Sequence, residues 1–200
     1  MKFVLASKNP NKLKEMREIL TGLDIEVISE AEAGVDVEVK ETGSTFEENS
    51  LLKARAVCKA AGLPAIADDS GLCVTALGGG PGVYSARYGG AGLSDKERYQ
   101  LLLDSLRGQL DRTAKFVCCV CCAFPDGGGI GARGECEGLI VHAPRGEDGF
   151  GYDPIFLVSG GRKTFAQMTA EEKNAVSHRG KALAAFRERL ETYLQERGLS

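Results

Sequence analysis

The tract Ala65-Ile66-Ala67-Asp68-Asp69-Ser70-Gly71 sets two carboxylates, a hydroxyl and a glycine against the end of a short apolar run. At the C-terminal mouth of a sheet, such a group can hold a hard divalent cation and position a water. Glu41 precedes the Thr42-Gly43-Ser44 turn and can swing in beside the two aspartates. Mg2+ takes oxygen ligands, usually one or two carboxylates completed by waters and substrate phosphates. The competing reading makes all three solvated loop carboxylates, an awkward outcome for adjacent acids directly after a buried strand.

Other residues supply phosphate and base chemistry. In Ser7-Lys8-Asn9-Pro10-Asn11-Lys12 a strand runs into a turn and then a helix start, where free N–H groups favour an anion and Lys12 adds charge. No G-x-x-x-x-G-K-[ST] loop is present. Asn49 and Lys53 are four apart and share a helix face, pointing either to phosphates or to solvent. In Phe150-Gly151-Tyr152-Asp153 the glycines let backbone approach a ligand. Phe150 can stack on a flat base there, and Asp153 can accept from ring N–H groups; the alternative is a tight turn around a core aromatic. Lys173 and then Ser177-His178-Arg179 place two cations and an imidazole at helix N-termini, suited to an anion or an electron-rich carbonyl. A lone histidine is more often structural.

These groups need elements to position them. Residues 2–6 read as a β run, followed by a helix capped by Asn9 with Pro10 first and Leu13, Met16, Ile19 and Leu20 on one stripe. Thr45-Phe46-Glu47-Glu48 has capping-box spacing and opens a helix that stops at Gly62. Residues 65–67 form a short strand, an acidic turn follows, and 71–76 continue extended. Ser94 to Glu97 opens a helix to about Arg107. Strands near 115–124 and 131–142 flank the hairpin turn Asp126 to Gly129. Ile155 to Val158 is a strand, Thr169 opens a short helix, and the last helix begins near Ser177 with Leu183, Phe186, Leu190 and Tyr193 on one side. The mixture predicts an α/β fold with a mixed sheet. Glycine-rich stretches near 78–92 and 126–131 can separate two lobes, but no linker divides the 200 residues, which read as a single domain.

Composition sets outer bounds. A chain 43% hydrophobic and 26% charged, with net charge −3, is an ordinary globular protein and not a primary nucleic-acid binder. No apolar run is long enough to span a bilayer, and Met1 to Ser7 is too short an apolar stretch for a secretory signal, so the expected location is the cytoplasm. Seven cysteines raise the question of metal or redox chemistry. Four of them fall in Cys118-Cys119-Val120-Cys121-Cys122, where alternate residues face opposite sides. They read as small apolar residues of a buried strand.

In this order the segments resemble the inosine triphosphate pyrophosphatase family, also called XTP/dITP diphosphatases. The resemblance spans nearly the whole chain. It rests on Ser7-x-Asn9-x-x-Lys12, Glu41-Thr42-Gly43, Thr45-Phe46-x-Glu48-Asn49, Ala67-Asp68-Asp69-Ser70-Gly71-Leu72, Pro81-Gly82-x-Tyr84-Ser85-Ala86-Arg87, Gly149 to Pro154, and Glu172-Lys173 with Ser177-His178-Arg179-Gly180.

The resemblance implies a two-lobed α/β structure, a long mixed sheet with a cleft between lobes, and a homodimer. It implies Mg2+-dependent cleavage of ITP, dITP or XTP between the α- and β-phosphates, giving the monophosphate and pyrophosphate. Glu41 and Asp69 are the implied metal ligands, with Asp69 also the proton acceptor for the attacking water. Ser7, Lys8, Asn9, Pro10, Asn11, Lys12, Ser70, Lys173 and Lys53 would hold the triphosphate. Phe150, Gly151, Tyr152 and Asp153, with His178 and Arg179, would receive the base. The rival enzyme reading is the septum-site nucleotide pyrophosphatase family, which prefers modified pyrimidines or guanine derivatives; a non-catalytic nucleotide-binding module is the rival from another class.

Overall fold

A computed structural model describes residues 1–198. Six strands form one mixed sheet in the order β2-β1-β3-β4-β5-β6: β1 Lys2–Leu5, β2 Glu26–Ser29, β3 Ala65–Val74, β4 Thr113–Ala123, β5 Gly129–Ile140 and β6 Phe156–Val158. β1 runs parallel to β2 and to β3, while β5 and β6 are antiparallel. The helices are α1 Pro10–Ile19, α2 Phe46–Ala61, α3 Asp95–Ser105, α4 Ala170–Val176 and α5 His178–Glu196. The predicted mixed α/β class therefore holds. Among the described residues, no helix is long and apolar enough to cross a membrane.

The chain divides into two compact units. Among the described residues, the first comprises 1–69, 118–134 and 182–198, and the second 70–117 and 135–181. The divisions fall inside strands and within α5, not in the glycine-rich stretches 78–92 and 126–131.

In the first unit, strand alternation puts apolar residues on both faces of the sheet. Phe3, Leu5 and Ile66 pack with Met16 and Leu20 of α1 and with Leu183, Phe186, Leu190 and Leu194 of α5. Val4, Ala65 and Ala67 face the other way, onto Ala54, Val57 and Cys58 of α2. The helix starts follow the sequence. Asn9 accepts from the Asn11 N–H with Pro10 in the first turn of α1, and Thr45 with Glu48 forms a reciprocal capping box on α2. α2 stops at left-handed Gly62. In the second unit, Leu72, Leu102, Leu103, Leu106, Phe116, Ile140, Ile155, Phe156 and Phe165 form the core. α3 and α4 start in capping boxes at Ser94 and Thr169.

Two expectations are corrected. The four-residue β2 was absent from the sequence reading. More consequentially, Asp68 and Asp69 do not sit in a turn between two strands. They lie inside the continuous ten-residue β3. What ends near them is β1: its parallel register with β3 stops at Leu5↔Ile66. The acids thus follow the point where one neighbour runs out, and the strand itself does not break.

The cysteine-rich strand is buried as expected, with Cys118, Cys119, Cys121 and Cys122 all buried and none disulfide-linked. Burial pushes the thiols of Cys119, Cys121 and Cys122 above the ordinary 9.0. The unfolded chain therefore releases these protons first, and their contribution to stability is complete below about pH 9 and lost as pH rises beyond it. Urea unfolding in reductant from about pH 7 to 10 is expected to show a plateau and then a decline; constant stability across that range would contradict this assignment.

Candidate active site

In the first unit, β3 alternation sends its adjacent acids to different helices. Ile66 shares the α1 face, so Asp68, two residues on, points the same way. Its carboxylate, 2% exposed at the residue level, meets Lys12 of α1 at 2.8 Å. Asp69 faces the α2 side with Ala65 and Ala67, and its Oδ1 lies 3.6 Å from Nζ of Lys53. The same ammonium is 2.7 Å from Glu41 Oε1. Glu41 and Asp69 therefore converge on one positive charge, while Asp68 is committed to another. Burial pulls the Lys53 pKa down, but Asp69, Glu41 and Asp68 outweigh it and hold the ammonium above the usual lysine value.

Glu41 is delivered by the loop before α2, and that loop is fastened to the helix start. Gly43 N–H donates to Asn49 Oδ1 at 2.8 Å, and Ser44 and Thr45 N–H both donate to Glu48. A Cβ on Gly43 would come within 2.7 Å of Asn49 Oδ1 and of Glu48 Cβ. The segment Glu41-Thr42-Gly43 with Thr45-Phe46-x-Glu48-Asn49 is thus one device for placing a carboxylate. Asn49, 0% exposed, holds this loop through its Oδ1. Lys53 stands against the carboxylates.

The turn before α1 is organised as the sequence suggested. Asn9 N–H donates to Ser7 Oγ and Asn9 Oδ1 accepts from Asn11 N–H. Pro10 and Asn11 are exposed at the helix start, and Lys8 pairs with exposed Asp36 at 2.8 Å. Asp36 had no place in the sequence reading; only charge complementarity across the fold identifies it. Ser70 is half-buried in β3.

In the second unit, Gly149 to Asp153 forms a tight loop. Gly149 has φ +83°, and a Cβ there would sit 2.2 Å from Asp153 Oδ2. Asp153, 3% exposed, accepts from Phe150 N–H at 2.9 Å and from Lys173 Nζ at 2.6 Å. Its carboxylate, expected to read a base, turns inward to hold the loop. Tyr152 is also buried, its hydroxyl donating to Ser85 O, and burial raises its pKa. Ser85 in turn accepts from Leu72 N–H, which accounts for its place in the Pro81-to-Arg87 segment. Gly151 N–H donates to Asp95 Oδ2 at 2.7 Å, a contact the sequence reading did not foresee although the Ser94 capping box fixes where Asp95 stands.

Phe150 is 74% exposed. Lys173 Nζ lies 4.7 Å over its ring and 5.3 Å over that of Phe165. Lys173 falls in the last turn of α4, not at a helix N-terminus as expected, and belongs to the Phe150 loop. α5 does begin at His178. His178 stacks on Phe116 with centroids 4.7 Å apart and planes 12° apart. Arg179 follows, half-buried. Gly180 N–H donates to Ser177 Oγ, and a Cβ on Gly180 would lie 2.0 Å from Asn174 O, so only glycine permits this elbow between α4 and α5.

A model of the Ham1 family matches residues 3–189. A dITP/XTP pyrophosphatase of Thermus thermophilus is 53% identical over 191 residues, covering 94% of this chain and 91% of that protein. That of Desulfotalea psychrophila is 50% identical over 184 residues, covering 92% and 82%. The solved structure of the Staphylococcus aureus Ham1 protein matches with TM-score 0.91 at 44% identity, covering 96% of this chain and all of that one.

Because Asn49 is the acceptor for Gly43 N–H, Asn49→Ala strands a backbone donor. It is expected to cost about 1–3 kcal/mol in urea unfolding. A variant as stable as the parent would show that the Glu41 loop is held by other means.

Proposed function

The chain belongs to the Ham1 family, and on that premise we propose that it is a dITP/XTP pyrophosphatase, as its curated relatives are named. It hydrolyses deaminated purine nucleoside triphosphates (ITP, dITP, XTP) to the monophosphate and pyrophosphate and so cleanses the nucleotide pool. We place it in the cytoplasm, acting as a homodimer on a free nucleotide.

The observation that carries the chemistry is the convergence of Glu41 and Asp69 on the Lys53 ammonium. Two hard carboxylates already arranged about one cation suit Mg2+. Mg2+ usually takes only one or two protein carboxylates and completes its shell with waters and substrate phosphates. When bound, Mg2+ supplies charge neutralisation for the phosphates and lowers the pKa of a bound water. Asp69 accepts a proton from the attacking water. Lys53 keeps Glu41 and Asp69 together, and Lys12 offsets the buried charge of Asp68.

Ser7 to Lys12 and Ser70 receive the triphosphate, where backbone N–H groups at a helix start and lysines oppose its charge. The exposed Phe150 ring stacks on the base. Gly151, Tyr152, Asp153 and Lys173 hold that ring in place. His178 and Arg179 donate to the 6-oxo group of hypoxanthine or xanthine. Adenine presents an amino donor there, so a site built to donate leaves it mismatched, which discriminates by orders of magnitude.

Incubation with Mg2+ and ITP, XTP, GTP, ATP and dUTP, followed by product separation, tests the reading. Monophosphate and pyrophosphate from ITP and XTP, with ATP nearly untouched, are expected. Diphosphate plus orthophosphate would refute cleavage at the α-phosphate, and turnover of dUTP alone would favour the pyrimidine rival. Asp69→Asn is expected to lower kcat by at least roughly 100-fold with little loss of fold, and excess chelator to stop turnover. Arg179→Ala is expected to erode the preference for ITP over ATP; unchanged selectivity would remove Arg179 from base reading.

A further inference from the structure

Phe150 poses a mechanical problem. A ring that is 74% exposed cannot be fixed by packing, and its neighbours on both sides are glycines at positive φ, +83° at Gly149 and +60° at Gly151. Such a segment moves unless its backbone is held. Two consecutive N–H groups are held, by carboxylates from different elements. Phe150 N–H goes to Asp153 three residues on, a bond made within the turn. Gly151 N–H goes to Asp95, 56 residues away at the start of α3. The second ties the Gly151 backbone itself to α3, beside the side-chain ties of Asp153 to Lys173 of α4 and of Tyr152 to Ser85.

Asp95 is available for this because other residues complete the helix start. Ser94 and Glu97 form the capping box of α3, each satisfying a backbone N–H of the other. Asp95 is therefore not consumed in capping. Arg98, one turn on, anchors the helix by donating to Leu93 O and Ala86 O. A carboxylate accepting an N–H makes a stronger bond than a neutral acceptor does.

We propose that Asp95 is a positioning residue for base recognition: it acts through Gly151 to hold the Phe150 ring where a purine stacks on it. This rests on the reading above that Phe150 receives the base. The chemistry at Glu41 and Asp69 is assigned to other residues, so loss of Asp95 is expected to appear in KM and not in kcat.

The test is a double-mutant cycle with Asp95→Ala, Phe150→Ala and the pair, measured as kcat and KM for XTP. Asp95→Ala is expected to raise KM roughly tenfold with kcat within about twofold. In the Phe150→Ala background the same change is expected to do almost nothing. Asp95→Asn retains an acceptor and is expected to restore most of the affinity. If Phe150→Ala alone leaves KM unchanged, the stacking reading fails and this inference falls with it. If Phe150→Ala raises KM but Asp95→Ala does not, or if the two effects are additive, the stacking stands and the role of Asp95 is refuted. Amide hydrogen exchange on the unaltered protein gives a check independent of folding in the variants. Gly151 N–H is expected to be protected, and exchange at the rate of an open loop would overturn the proposal.

Discussion

A carboxylate buried in the middle of a strand is the constraint around which the first unit is arranged. An isolated buried charge costs several kcal/mol unless a partner meets it. β3 carries two acids in succession, and the pleat sends them to opposite faces, so one helix cannot answer both. α1 delivers Lys12 to Asp68 on one side, and α2 delivers Lys53 to Asp69 on the other. Each helix must begin at the right residue to do so. The Asn9 cap with Pro10 and the Thr45–Glu48 box thus set the register of a lysine as well as stabilising a helix end. The Glu41 loop then closes on the α2 side, where its carboxylate and Asp69 share one ammonium.

The second unit solves a different problem with the same materials. It must present an aromatic face to water and still keep it still. It does so from behind, through backbone N–H groups, a buried tyrosine hydroxyl and a lysine over the ring. Asp153 serves two of these contacts and Ser85 a third. The residues a motif search marks here are thus of two kinds. Phe150 is displayed, whereas Gly149, Tyr152 and Asp153 are its mounting.

Local signals explain what was legible in the sequence. The helix starts at Asn9, Thr45, Ser94 and Thr169 were readable because side-chain capping needs only neighbours. The buried cysteine strand was readable because it is apolar on both faces. The acidic tract misled because Asp-Asp-Ser-Gly is turn chemistry in isolation. β3 continues because lysines from two helices make those acids tolerable inside a strand, and no local pattern records that. Asp153 was expected at a base for the same reason: its type was visible but its direction was not. Asp36 and Asp95 were missed because each acts across a long sequence separation, on Lys8 and on Gly151.

The helix starts also sort by sign. α2, α3 and α4 each carry two acids in the first turn, Glu47 and Glu48, Asp95 and Glu97, Glu171 and Glu172. α1 and α5 carry none. The partial positive charge at a helix start is therefore cancelled on three helices and left uncancelled on two. Those two begin with the residues assigned to the nucleotide, Pro10 to Lys12 and His178 to Arg179. A polyanion is therefore met less favourably at each sealed start than at either open one. Discrimination among places on the protein thus begins in the field, before any atom of the ligand is touched.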